Sequence, residues 1–238
     1  MLSMRQKVVG VLGGMGPEST AELLAKIVRA TPVVREQDHL RVIVDSNPKV
    51  PDRTEALLSG DTAPVIEALT ATARNLERAG AEVIGMPCNT AHAFLGEIRA
   101  SVGVPVLDMI GEAAARAREV FGVEAVVGVL ATDGTHKTGL YREALDRHGL
   151  VGIAPAERGV QRAVMDALHG VKLSGVSEAS AEALGAAIVD LEEQGATALL
   201  AGCTEVSLVL EQFPPRLPWL DPLQVLAEAL VREAGGES

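Results

Sequence analysis

The chain has 238 residues, 47% of them hydrophobic and 22% charged, enough apolar matter to pack one large or two modest domains and too much for a disordered segment. Its formal net charge is −11 and aromatic residues make up only 2%, which argues against binding a phosphate backbone or stacking on bases. Two cysteines in this length build no disulfide framework, so the expected setting is a reducing cytoplasm.

In chain order, the opening Met1 to Lys7 is too short and polar for a secretory signal, and no apolar run is long enough to span a membrane. Lys7 to Leu12 reads as a strand. Gly13-Gly14-Met15-Gly16-Pro17-Glu18-Ser19-Thr20 then turns into a helix through about Arg29, with Pro17 suited to a first turn and Glu18 to the positive end of the dipole. Val42 to Asp45 is a strand, Ser46 to about Arg53 a polar, proline-containing loop, and a helix follows up to Ala79. Val83 to Met86 and Val104 to Leu107 are further strands, separated by a helix beginning near Thr90.

The second half repeats the first. Val-Val-Gly-Val-Leu occurs at Val8 to Leu12 and again at Val126 to Leu130, 118 residues later. Gly80-Ala81 returns as Gly195-Ala196 at a spacing of 115, and Pro105-Val106-Leu107-Asp108 as Pro218-Trp219-Leu220-Asp221 at 113. Nearly equal offsets point to internal duplication. Apolar strands alternating with helices imply an α/β fold of two similar lobes, each a parallel sheet flanked by helices on both faces. The expected lobes are residues 1–110 with 213–238, the chain end returning to the first lobe, and residues 111–212, related by a pseudo-two-fold axis with the active site in the cleft.

Cys88 and Cys203, also 115 residues apart, each follow one of these apolar runs. Ligands of open parallel sheets bind beyond the carboxyl ends of the strands, where both cysteines fall together with Gly13 to Gly16, Ser46 to Arg53 and Thr132 to Thr135. Two facing thiols can invert a tetrahedral carbon, one taking a proton while the other donates one from the opposite face. With each sulfur about 3.5 Å from the reacting carbon, the sulfurs would stand about 7 Å apart. A free thiol is mostly protonated at neutral pH, and the helix expected to begin at each cysteine would favour the thiolate. Asn89, Thr90 and Thr204 offer donors directly after the thiols, for the carboxylate on which charge develops. A single cysteine in such a fold is commonly a small buried hydrophobe, and the matched pair is what argues for chemistry. His92 lies four residues after Cys88, but Cys203 has no such companion, so the pattern implies no metal and makes His92 a cap or supporting group.

These residues resemble the aspartate/glutamate racemase family, and its cofactor-independent aspartate racemase branch in particular. The resemblance runs in order through Gly13 to Thr20, Pro51-Asp52-Arg53-Thr54, Pro87-Cys88-Asn89-Thr90-Ala91-His92 and Gly202-Cys203-Thr204-Glu205. It implies two α/β domains around a cleft, a homodimer, a small acidic amino acid as substrate, and Cys88 and Cys203 as the two acid/base residues. By the same resemblance Arg53 grips the distal carboxylate, a role suited to a bidentate guanidinium. Lys172 stands near the active site, and Asn89, Thr90, Thr132 and Thr204 hold the α-carboxylate and amino group. Met15 and Gly16 line the pocket, and His92 and Glu205 support the cysteines from behind. Glutamate racemases typically carry an aspartate after the first strand and a histidine after the second cysteine motif; Gly-Gly-Met-Gly and Glu205 stand there instead, which favours aspartate or a broader substrate range. No cofactor is implied, because the thiols supply the bases and no lysine has a pyridoxal-phosphate context.

Other readings compete. Gly14-Met15-Gly16 after a strand is a partial dinucleotide fingerprint, but Ser19 replaces its third glycine and Asp45 runs straight into a loop. Hydantoin racemases, maleate isomerases and related decarboxylases share one or both cysteines, and a non-catalytic amino-acid or nucleotide binder would lack thiol chemistry. Without the resemblance, Arg53 is equally readable as an exposed arginine in a surface salt bridge, and Lys172 alone reads more readily as solvated surface.

Overall fold

A computed structural model describes residues 6–235; the reading of the N-terminal segment before Gln6, and residues 236–238 of the first lobe, lie outside the described residues. The chain divides into unit 1, Met1–Met109 with Leu223–Ser238, and unit 2, Ile110–Pro222.

Unit 1 opens with β1 (Val9–Gly13), α1 (Pro17–Ala30) and β2 (Val42–Ser46). The sequence pattern predicts one helix up to Ala79, but the structure makes two, α2 (Arg53–Ser59) and α3 (Ala63–Arg78). Gly60, at φ 87°, ends the first through its N–H to the Ala56 carbonyl. β3 (Val83–Gly85) leads to a 3-10 helix over Thr90–Phe94 and then α4 (Leu95–Ser101). The strand expected at Val104 to Leu107 shrinks to a single parallel bridge between Ile84 and Val106. After α5 (Met109–Phe121), unit 2 runs β4 (Val126–Ala131), α6 (Asp133–Thr138), α7 (Leu140–Arg147), β5 (Val151–Ile153), α8 (Arg158–Ser174) and α9 (Glu178–Glu193). It closes with β6 (Ala198–Gly202), α10 (Thr204–Gln212) and β7 (Trp219–Leu220), and α11 (Pro222–Glu233) follows.

Both sheets are parallel, with order β2-β1-β3 in unit 1 and β5-β4-β6-β7 in unit 2. The duplication extends to individual hydrogen bonds. Gly80 (φ 101°) and Gly195 (φ 96°) end α3 and α9 in a conformation that only glycine adopts freely. The next residues, Ala81 and Ala196, donate their N–H to Leu76 O at 3.0 Å and Leu191 O at 2.9 Å. Ile84 N–H reaches Pro105 O at 2.8 Å, and Leu199 N–H reaches Pro218 O at 2.9 Å.

Alternating side chains bury both faces of each sheet. In β1, Leu12 packs with Leu69 and Leu76 of α3, while Val9 and Val11 pack with Leu23 and Ile27 of α1 and with Leu226 and Leu230 of α11. In β4, Leu130 joins Leu184 and Leu191 of α9, while Val127 and Val129 join Ala113, Ala114 and Ala117 of α5. The helix that follows β7 thus packs on the other unit's sheet, α11 belonging to the core of unit 1, and α5, which follows the Val106 bridge, belongs to the core of unit 2. The chain returns to unit 1 at Leu223 rather than at 213, because Trp219 and Leu220 pair with β6 as the fourth strand of unit 2. Among the described residues no helix is long and apolar enough to cross a membrane.

Truncation of α11 measures how much unit 1 depends on it. Leu226 is fully buried, so Leu226→Ala should cost about 2–5 kcal/mol in chemical denaturation. Leu173, 73% exposed on α8, should give less than about 0.5 kcal/mol when changed to Ala.

Candidate active site

In unit 1 the candidate residues follow the carboxyl ends of β1, β2 and β3. Gly14 turns the chain out of β1 at φ 95°, and a Cβ there would lie 2.3 Å from the backbone carbon of Asn47, so only glycine allows the two loops to touch. Its N–H donates to Thr20 Oγ1 at 2.8 Å, which ties the turn to α1. Met15 is buried, Gly16 caps α1, and the peptide between them is cis. After β2, Asp52 caps α2 by accepting the Glu55 N–H at 2.8 Å, and Arg53 is the first helical residue. Arg53 Nη1 donates to Val50 O at 3.3 Å and Pro51 O at 3.1 Å, while its Nε is buried with no partner. A guanidinium held by one nitrogen with a buried donor left over is built to meet an acceptor.

Cys88 lies just past β3, 6% exposed. The α-helix expected to begin beside it is a 3-10 helix, entered through buried Asn89 and Thr90. His92 braces this segment. Met109 N–H donates to His92 Nε2 at 3.2 Å, so the ring's proton sits on Nδ1 and is donated to Cys88 O at 2.8 Å. Burial pushes the His92 pKa below the ordinary histidine value, opposed in part by the hydrogen bond to Cys88 and the Asp108 charge. The ring is therefore neutral at neutral pH and both nitrogens are engaged with backbone.

In unit 2, Cys203 follows β6 directly and is the N-cap residue of α10, 7% exposed. The helix terminus predicts a stabilised thiolate; the structure shows the opposite. Burial pushes the thiol pKa well up, and the Glu205 carboxylate adds to that, outweighing the positive charge of Lys172 on α8. Cys203 Sγ donates to Glu205 Oε2 at 2.8 Å, and Thr204 Oγ1 donates to the same oxygen at 3.3 Å. This carboxylate, itself buried, holds the proton on sulfur and is also positioned to receive it.

At the end of β4, Thr132 caps α6. Its Oγ1 accepts Thr135 N–H at 3.2 Å and lies 3.1 Å from Thr135 Oγ1. Thr135 belongs to the stretch that the sequence places at this strand end, and Thr-x-x-Thr after an apolar run is a legible cap. Gln161 escapes a sequence reading. Its Nε2 donates to Ala131 O at 3.1 Å and Asp133 Oδ1 at 2.8 Å, which fixes the amide and leaves Oε1 buried without a partner, an acceptor suited to an ammonium group. Nothing in the local sequence marks it. Among the described residues no three His, Cys, Asp or Glu side chains are grouped to hold a metal ion. A 260 Å³ pocket in unit 2, lined in part by His136, Tyr141 and Arg142, does not include Cys203. Hydrogen-bond chemistry, not cavity size, singles out the site.

Comparison with known proteins agrees with this architecture. An aspartate racemase from Picrophilus torridus superposes with a TM-score of 0.84 at 30% identity, over 97% of this chain and 95% of that one. A broad specificity amino-acid racemase from Bacillus subtilis (strain 168) is 25% identical over 94% of this chain and 96% of its own length. A glutamate racemase from Corynebacterium diphtheriae is 32% identical over 62% of this chain and 54% of its own. Residues 12–230 match the Asp/Glu/Hydantoin racemase family model, and the chain is a member of that family, an isomerase of the amino-acid racemase kind.

Proposed function

We propose that the chain interconverts L- and D-aspartate, moving the Cα proton between Cys88 and Cys203 without a cofactor. The observation that carries this reading is the matched placement of the two thiols, each just beyond the strand that neighbours the central strand of a duplicated unit. One sulfur, as thiolate, takes the Cα proton; the electron pair left behind spreads into the α-carboxylate; the other thiol returns a proton to the opposite face. The sulfurs thereby exchange protonation states. Cys203 rests as the thiol, the acid of the pair. It becomes the base once it has given that proton to Cα, and in the resting thiol Glu205 accepts its hydrogen bond at 2.8 Å.

The unpartnered Arg53 Nε supports a second carboxylate on the substrate, and Gln161 Oε1 supports an ammonium. Asn89, Thr90, Thr132 and Thr204 are buried beside the strand ends and supply hydroxyl and amide groups for the α-carboxylate. Lys172 acts on Cys203 through its charge, and Met15 and Gly16 bring backbone to the end of β1. The similarity to the Picrophilus torridus aspartate racemase supports aspartate as first substrate, and the broad specificity relative makes a panel of amino acids the right test. The reading includes a homodimer, as the sequence resemblance implies, in the reducing cytoplasm that the cysteine usage implies, and light scattering measures the oligomeric state.

In D2O, L- and D-aspartate should each gain deuterium at Cα without added pyridoxal phosphate. Cys88→Ala or Cys203→Ala should lower racemisation by at least about a thousandfold, the scale of a positioned acid or base. A protein that exchanges no amino acid of the panel but isomerises maleate would overturn the assignment. Arg53→Ala should raise the KM for aspartate about 10- to 100-fold, the worth of a charged hydrogen-bond pair, and affect a neutral amino acid far less.

Glu205→Gln removes a negative charge that raises the Cys203 pKa, so the thiolate should form at lower pH than in the parent. Ultraviolet titration of thiolate absorbance in a Cys88→Ala background reads this directly; an unchanged or higher midpoint would refute the electrostatic role of Glu205.

A further inference from the structure

The chain passes from unit 1 to unit 2 at Met109–Ile110 and back at Pro222–Leu223. Each passage comes directly after a Pro-x-Leu-Asp element ending in Asp108 or Asp221. Each is also fastened, within its own unit, to a residue four positions after a cysteine. In unit 1 that residue is His92, whose Nε2 accepts the Met109 N–H while Nδ1–H holds the Cys88 carbonyl. In unit 2 it is Ser207, whose Oγ donates to Asp221 Oδ1 at 2.7 Å with both residues buried. Neither the chemistry of the thiols nor the resemblance to a family draws attention to Ser207 or Asp221.

The geometry points to Ser207 and Asp221 as positioning residues for Cys203, the counterpart in unit 2 of the His92–Met109 brace on Cys88. Ser207 is one helical turn beyond the N-cap, so it shares a face of α10 with Cys203. A 2.7 Å bond from that turn to the end of β7 fixes the rotation and height of the helix start, and with it the place of the sulfur. A buried hydroxyl–carboxylate bond is short, charge-assisted and costly to leave half made, which makes it a stiff fastening and not an incidental contact. Angular error at Cys203 matters because proton transfer fails when donor and carbon are misplaced by an ångström. The two fastenings differ in chemistry, an imidazole bridge against a hydroxyl–carboxylate bond, and agree in tying the residue four positions past a cysteine to the segment where the chain leaves the unit.

This inference rests on the racemase reading only for its kinetic readout. Ser207→Ala should lower kcat for aspartate about tenfold with KM within about twofold of the parent, and Ser207→Thr, which keeps the hydroxyl, should restore most of the loss. A second readout needs no substrate: alkylation of the two cysteines by iodoacetamide, followed by peptide mass mapping. Ser207→Ala should change the Cys203 rate at least about threefold and leave the Cys88 rate unchanged. If the parent protein racemises nothing, the racemase reading fails and the alkylation rates alone decide the positioning role. A Cys203 rate equal to the parent's, or a parallel change at both cysteines, overturns it, as does an active Ser207→Ala enzyme with parental kcat. Should that variant fail to fold, Asp221→Asn carries the test, with a smaller change at Cys203 expected and none at Cys88.

Discussion

Two small parallel sheets each have two apolar faces to bury, and that requirement shapes the chain more than any other. Parallel strands need a crossover between every pair, so helices arrive on both faces as a matter of connectivity. The covering helix of the unit 1 sheet, α11, comes from a distant part of the sequence, while that of the unit 2 sheet, α5, directly precedes β4. Residues α11 contributes, Leu223, Leu226, Leu230 and Val231, close the face of β1 that carries Val9 and Val11. Small residues of α5, Ala113, Ala114 and Ala117, do the same for Val127 and Val129 of β4. To deliver these helices the chain leaves unit 1 just after the Val106 bridge and unit 2 just after β7, and each departure lies beside a residue four positions past a cysteine.

That placement gives the site its stiffness. Loops at the carboxyl ends of strands are normally the freest parts of an α/β unit. Here the β1–α1 turn is pressed against Asn47 at Gly14, the Cys88 segment is held by His92, and Ser207, one turn past Cys203, is bonded to Asp221. Polar side chains do this work in a buried setting where an unmatched partner would be expensive. Buried unmatched atoms that remain past the strand ends include Arg53 Nε, a donor, and Gln161 Oε1, an acceptor, together with His136 Nε2.

Much of this architecture is legible in the amino-acid sequence, for local reasons. Val-Val-Gly-Val-Leu and the Gly-Ala pairs announce duplicated strands and helix ends, because apolar runs and positive-φ glycines carry their own signal. The cysteines stand out because they share the spacing of those landmarks. What the sequence hides depends on contacts between distant residues. Val104 to Leu107 is apolar enough for a strand, yet only Val106 finds a bridge to Ile84. Trp219 and Leu220 sit in a proline-rich stretch that reads as an exit from unit 2, while pairing to β6 keeps them inside it. The Cys203 thiol differs in kind: the helix terminus and the nearby Glu205 are both readable, but the burial of the thiol and the 2.8 Å contact are not, and they reverse the sign. Gln161 has no local signature at all, since its role depends on Ala131 and Asp133 thirty residues earlier.

The duplicated frame and its unlike cysteines bear on how a racemase can be asymmetric. Enantiomers have equal free energy in an achiral solvent, so the equilibrium constant is one and kcat/KM must be the same from either side. Equal ratios do not require equal environments. Cys203 carries a buried carboxylate partner that keeps its proton on, while Cys88 is set by a neutral imidazole through its own carbonyl. Any imbalance between the two thiols must then appear as compensating differences in kcat and KM for the two enantiomers, never in their ratio. If the two thiols share the proton transfer as proposed, divergence at Asn89-Thr90 against Thr204-Glu205, and at His92 against Ser207, would tune which enantiomer is held longer on the enzyme without changing that ratio.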